Sequence, residues 1–114
     1  MNQLAINYEP RDTERETVLD VVACCPDLFR FDFHQWLKLN WEIWKEFEKR
    51  SRDIWGVRKH FGHRTIWEAI RYETALREAN SEFKLNDHYT KSCAQLFILL
   101  NPRCDGLFEF RERK

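Results

Sequence analysis

The sequence predicts a mainly α-helical protein, with three to four helices packed around one aromatic-rich core. Apolar residues recur at helical spacing in several segments. Glycine and proline number only three each among 114 residues, which disfavours a turn-rich all-β fold. A chain of this length can bury about two-thirds of its unfolded surface, which suffices for a core without disulfide or metal cross-links.

The N-terminal part of the chain is polar and is interpreted as a mobile arm over residues 1–15. Residues 16–114 are predicted to form a single helical domain. A short helix is expected near the arm, over residues 13–23, because Thr13 can cap it and apolar residues follow on one side. Pro26 should end this helix, since the residue before a proline avoids helical angles.

A single long helix is predicted over residues 33–55, with Asp32 as its N-cap. At 100° per residue, its large apolar side chains share an arc of about 160°. All 5 tryptophans of the chain fall between Trp36 and Trp67, and most of them lie on this segment. We expect the segment to supply the core and, because monomers rarely expose such a stripe, to pack on a partner as well.

Two further helices are predicted in the second half of the chain. One covers residues 65–79 and starts with a capping box from Thr65 to Glu68. The other covers residues 88–100 and stops before Pro102. The inner face of the first of these helices is expected to carry Ile66, Ala69, Ile70 and Leu76.

A minor two-stranded β element is predicted between about residues 83–85 and residues 107–111. Both segments alternate apolar and polar side chains, as half-buried strands do. Asp105 and Gly106 form a turn signal directly before the second segment.

Charge is balanced overall but unevenly distributed. Lys+Arg and Asp+Glu are both 19, so no net field draws the chain to nucleic acid or to a membrane. The segment 49–64 nevertheless carries six cations and only one carboxylate, that of Asp53. Cations neutralise phosphates and nearby aromatic rings can stack on bases. The cations that a nucleic-acid-binding interpretation assigns to this role are Lys49, Arg50, Arg52, Arg58, Lys59, Arg64 and, on the next helix, Arg71.

No reaction is visible in the sequence, and we expect a protein that is not an enzyme and binds no cofactor or metal. A nucleophile elbow and a glycine-rich phosphate loop are both absent from the sequence. His60 and His63 could join two cysteines around zinc, but no Cys-x-x-Cys pair supports such a site. The 4 cysteines are interpreted as reduced thiols, and the lack of a secretory signal or membrane segment predicts a cytoplasmic protein.

Several short motifs resemble those of a family of small phage, prophage and bacterial proteins of unknown function. The motifs are Glu68-Ala69-Ile70-Arg71-Tyr72, Phe83-Lys84-Leu85-Asn86, Tyr89, Pro102 and Gly106-Leu107-Phe108-Glu109-Phe110-Arg111. The resemblance covers about residues 33–114 and carries no established activity. It implies a mobile-element or phage-defence setting, in which small helical proteins often act by binding a nuclease, a repressor or DNA.

The function expected from these observations is that of a non-enzymatic regulatory or accessory protein that binds a larger nucleic-acid-processing protein, such as a nuclease effector. Trp41, Trp44 and Trp55 are the predicted interface anchors, with Arg52 and Arg58 on the rim, because tryptophan and arginine dominate binding hot spots. A homodimer through the same helix is also expected. The alternative is a DNA- or RNA-binding regulator, resembling a helix-turn-helix protein, that uses the basic stretch 49–64.

Overall fold

The computed structural model describes residues 10–77 and 85–110 of the chain. The described part is mainly helical, as predicted, and holds five α-helices and two short 3₁₀ turns. The α-helices are α1 (Pro10–Cys24), α2 (Phe33–Leu39), α3 (Trp41–Trp55), α4 (His63–Arg77) and α5 (Thr90–Leu100). The 3₁₀ turns are Pro26–Leu28 and Pro102–Cys104.

The predicted long helix over residues 33–55 is interrupted at Asn40, so the prediction of one continuous helix is wrong. Asn40 has φ −125° and ψ 42°, outside the helical region. Its backbone N–H and its Nδ2 both donate to the carbonyl of Trp36, at 2.8 and 2.9 Å. Asparagine competes with helical hydrogen bonding in this way, and α3 restarts with Ile43 and Trp44 donating to the Asn40 carbonyl. The aromatic residues on each side of the break still enter one core.

The core consists largely of aromatic rings contributed by most of the helices, which confirms the predicted aromatic-rich centre. Phe47 lies edge-on to Trp67 at 6.0 Å between ring centroids and 5.8 Å from Phe108. Phe97 on α5 approaches Phe108 edge-on as well. Such ring pairs each add about 0.5–1.5 kcal/mol beyond the area they bury. Helix α3 packs against both α4 and α5, and α1 packs against α2.

Helix boundaries differ from the predicted ones in two places. Helix α1 begins at Pro10, so residues 10–15 are helical rather than part of an arm, and residues 1–9 lie outside the described residues. Proline suits the first turn of a helix, because its missing N–H would have no partner there. Helix α4 begins at His63, and the backbone N–H of Thr65 donates to the Gly62 carbonyl at 3.1 Å. Thr65 therefore lies inside the first turn, and the predicted capping box is wrong.

No strand is present in residues 10–77 or 85–110, so the predicted two-stranded β element is not supported. Residues 83, 84 and 111 lie outside the described residues. The segment after the second 3₁₀ turn pairs with a different partner: the Leu107 carbonyl accepts a hydrogen bond from the backbone N–H of Phe61 at 2.9 Å. Leu107 and Phe108 are both buried, so side-chain packing fixes this segment instead of a β ladder.

Candidate functional site

Two of the three predicted interface tryptophans belong to the core. Trp44 is 0% exposed and Trp41 is 8% exposed. The Trp44 ring stacks near Phe47, and the Nζ of Lys45 lies 5.8 Å from the Trp41 ring centroid. The prediction that Trp41 and Trp44 anchor a partner is therefore wrong, because the folded chain already encloses their rings.

The third predicted anchor, Trp55, is half-buried at the end of α3. The Nζ of Lys59 lies 4.1 Å from the centroid of the Trp55 ring and donates to the Trp55 carbonyl at 3.0 Å. A cation near a helix C-terminus is favoured by the helix dipole. Lys59 and Trp55 therefore form a local cap of α3.

The cations of the centre of the α3–α4 hairpin are paired with carboxylates. Arg50 donates to Glu46 at 2.7 Å and also to Glu73 of α4, so it ties the two helices together. Glu48 is buried and accepts from Lys45 at 2.8 Å and from Arg52 at 3.1 Å. The remaining pairs of this kind are Lys49 with Asp53 at 3.4 Å and Arg71 with Glu68 at 2.9 Å. We call Lys45, Lys49, Arg50, Arg52 and Arg71 the paired cations.

The other predicted phosphate-binding cations differ from this group. Arg58, Lys59 and Arg64 have no hydrogen bond to a carboxylate among the described residues. The nearest one to Arg64 is Asp87, with 3.9 Å between Nη1 and Oδ2 and both side chains exposed. An exposed pair of this kind contributes about 0–1 kcal/mol, so it does not hold Arg64 in place.

An apolar groove runs between the facing sides of α3 and α4 and has a volume of about 430 Å³. We call it the hairpin groove, and it is lined by Arg50, Asp53, Ile54, Val57, Phe61, Thr65, Ile66 and Ala69. Val57 is 77% exposed at its end. The groove is continuous with an outward ridge of α4, because Thr65, Ala69, Tyr72 and Leu76 share an arc of about 60° at 100° per residue.

This ridge exposes two large apolar side chains, and one of them was predicted to lie inside the protein. Leu76 is 63% exposed and Tyr72 is 67% exposed, whereas Leu76 was predicted on the inner face of its helix. Trp67 and Thr74 take the inner face instead, with Ile66 and Ile70, and are buried. The spacing of Thr65, Ala69, Tyr72 and Leu76 was the sequence signal for this second stripe.

A second concavity lies at the start of α4 and has a volume of about 790 Å³. We call it the cationic cleft, and it is lined by His60, Phe61, Gly62, His63, Arg64, Lys91, Leu107, Glu109 and Phe110. Phe61 lines both the cleft and the hairpin groove. Lys91, Glu109 and Phe110 come from distant parts of the sequence, and no local pattern predicted that they meet Arg64.

His63 is held rigidly in the wall of the cationic cleft. Its Nδ1 lies 2.9 Å from the Oγ1 of Thr90, and its ring stacks on Phe110 and meets Phe108 edge-on. Burial, together with the smaller effects of the nearby charges of Arg64 and Lys91, lowers the pKa of His63 to about 4. The ring is therefore neutral at pH 7, and the lasting positive charges on the cleft wall are those of Arg64 and Lys91.

Thiols and metal-binding groups show no assembled site in the residues that the structure describes. No group of three or more His, Cys, Asp or Glu side chains there is placed to hold a metal ion. Cys24, Cys25, Cys93 and Cys104 are free thiols, and burial raises the pKa of Cys93. A buried neutral thiol such as that of Cys93 is chemically inert.

Comparison of the chain with protein-family models, curated protein sequences and solved structures found no match. None of the helices in residues 10–77 and 85–110 combines the length and the apolar character that crossing a membrane requires.

Proposed function

We propose that this chain is a non-enzymatic regulatory or accessory protein that receives an apolar helix of a larger partner protein in the hairpin groove. The observation that carries the proposal is the presence of exposed apolar side chains beside an apolar floor, with Val57 at the end of the groove and Tyr72 and Leu76 on the adjoining α4 ridge. Exposed patches of this kind mark interaction sites on soluble proteins more often than isolated apolar residues do.

A helix is the occupant that the groove favours. Two antiparallel helices present a furrow into which an amphipathic helix can lay residues spaced i, i+3, i+4 and i+7. Ala69 is small, and this permits close approach of a backbone at the centre of α4. A stable interface between two folded proteins usually uses roughly 20–30 residues on each side, and eight residues line the hairpin groove. A homodimer would therefore need surface beyond the groove, whereas the groove alone can receive one docked helix.

The edges of the groove carry charged side chains, which the partner helix has to match. Arg50 and Asp53 line it from α3, and each belongs to an ion pair at the surface. Such rim charges set orientation and association rate more than affinity. We expect the partner helix to carry an apolar stripe flanked by charges of both signs.

The nature of the partner, a protein that processes nucleic acid in a phage, mobile-element or defence setting, is supported by the sequence resemblance alone. The hairpin groove supports only the binding of a helix. The proposed binding surface therefore consists of Val57, Tyr72 and Leu76 instead of the tryptophans expected from the sequence. The proposed class of function, a protein that binds a larger protein, is the same.

Co-purification with matched variants tests the proposal. A tagged chain is expressed in its native host, and the partner that it retains is identified and then purified. Val57→Asp and Leu76→Asp should each weaken binding of that purified partner by about tenfold or more, because each places a charge against a desolvated apolar helix.

Leu39→Asp is the matched control, because Leu39 is 72% exposed on α2 and lies outside both the groove and the adjoining α4 ridge that carries Leu76. All three variants replace an exposed side chain, so the folded state should persist in each. The proposal is rejected when Leu39→Asp weakens binding as much as the groove variants do. It is also rejected when the groove variants bind normally, or when the tagged chain retains only a second copy of itself.

A further inference from the structure

The cationic cleft combines features that the hairpin groove lacks. Its wall carries Arg64 from the first turn of α4 and Lys91 from the first turn of α5. Both side chains are exposed, and neither forms a hydrogen bond to a carboxylate among the described residues. Glu109 is the one carboxylate among the described residues that line the wall, and the exposed carboxylate of Asp87 lies 3.9 Å from Arg64, so both cations of the cleft are at most weakly paired.

Aromatic rings lie beside these cations. Phe61 and Phe110 line the same cleft, and Phe110 stacks on the neutral ring of His63 with 6.1 Å between centroids. A ring supported in this way from one side is pre-ordered and loses little entropy on binding a flat ligand. The volume of about 790 Å³ is large enough for more than a lone phosphate ion.

We propose that the cationic cleft binds single-stranded nucleic acid, with Arg64 and Lys91 on backbone phosphates and the Phe110 ring against a base. Proteins that bind single strands combine cations along the backbone with aromatic rings on which bases stack, and every base has a face that can stack.

This inference is independent of the proposed helix-binding groove. The proposed binding site also excludes most of the cations that the sequence analysis assigned to phosphate binding. Lys49, Arg50, Arg52 and Arg71 are already bonded to carboxylates, and only Arg64 of that set lines the cleft.

Binding of a fluorescent single-stranded oligonucleotide to the full chain tests the inference. At about 50 mM salt, the double variant Arg64→Gln, Lys91→Gln should weaken binding by about tenfold or more. Its log–log salt slope should fall in magnitude by about 1.4, since each single-strand phosphate contact contributes about 0.7. Phe110→Leu should weaken binding by about fivefold with an unchanged slope, because it removes stacking and leaves the charges in place.

The matched control is the double variant Lys49→Gln, Arg71→Gln, which removes the same amount of charge from exposed paired cations. It should alter affinity by less than about threefold. Equal losses in the two double variants would show that only the general field of the protein attracts the oligonucleotide, and would overturn the inference.

Competition experiments distinguish the ligand from its simpler relatives. Excess inorganic phosphate or a mononucleotide should displace the oligonucleotide only weakly, and a duplex of equal length should bind more weakly than the single strand. Tighter binding of the duplex, displacement by phosphate at comparable concentration, or no complex at low salt would each overturn the inference. Loss of partner binding in the groove variants has no effect on this assay, so the two proposals fail separately.

Discussion

The centre of the α3–α4 hairpin and the cationic cleft both contain cations of the basic stretch 49–64, yet these cations have different surroundings in the two regions. In the hairpin, Arg50 and Arg52 bond to carboxylates, and one of these, Glu73, comes from another helix. In the cleft, Arg64 and Lys91 are exposed beside aromatic rings, and the Asp87 carboxylate is 3.9 Å from Arg64. The difference shows that a basic stretch in the sequence is divided by the fold into structural charges and available charges.

The largest effect is expected from removal of Trp44, a core ring that the sequence analysis assigned to an interface. Trp44→Ala should lower the free energy of unfolding by about 3–5 kcal/mol, because it empties a fully buried site. Urea denaturation followed by circular dichroism measures the change. Trp44→Phe should cost much less, about 1 kcal/mol, since the Trp44 Nε1 has no hydrogen-bond partner among the described residues. A Trp44→Ala chain of unchanged stability would mean that the ring lies at a surface.

Removal of one charge from the hairpin and one from the cleft should have different effects on stability. Glu48→Gln should lower the free energy of unfolding by about 1–2 kcal/mol, because it weakens a buried carboxylate's bonds to Lys45 and Arg52. Arg64→Gln should change it by less than about 0.5 kcal/mol, since the carboxylate paired with it among the described residues, that of Asp87, is 3.9 Å away and exposed. The same denaturation experiment measures both values. Equal costs for the two variants would contradict the division into structural and available charges.

His63, in the wall of the cationic cleft, should make the stability of the protein depend on pH. The pKa of about 4 in the folded chain lies below the ordinary value of 6.5, so the unfolded chain binds more protons between these values. The contribution of the neutral His63 ring to the free energy of unfolding is therefore fully present above pH 6.5 and is lost as pH falls toward 4. Because the ring is only partly buried, we expect a loss of about 1 kcal/mol between pH 7 and pH 5.

The His63→Gln variant provides the control for this pH effect. Its stability should fall less over the same pH interval, because glutamine cannot gain the proton that destabilises the buried ring. Denaturation curves at pH 7 and pH 5 for both chains measure the difference. Parallel losses in the two chains would show that other groups cause the acid sensitivity.

The sequence predicted helix positions well where apolar spacing was regular. Helices α1 and α5 lie close to the predicted ranges 13–23 and 88–100, because their apolar residues recur every three to four positions. Asn40 was missed because its side chain bonds the backbone of the preceding turn, and this choice depends on local competition that periodicity does not report.

The candidate sites were predictable only in part. Arg64 was selected from local charge, but its neighbours Lys91 and Phe110 reach the cleft through the packing of α5 and the segment after it. The tryptophans were misassigned because large apolar area indicates burial or binding, and the sequence alone does not reveal which neighbours will cover it. Phe97 and Phe108, far along the chain, belong to the same aromatic core.

Site-specific photo-crosslinking in the native host tests most directly whether the hairpin groove is the binding surface. A photoreactive residue at position 57 should give one specific crosslinked product that contains a partner protein, and the same residue at position 39 should give none. Both positions are highly exposed, so accessibility alone predicts equal yields. Equal products from positions 57 and 39, or a product made of two copies of this chain, would contradict the assignment of the groove to a partner helix.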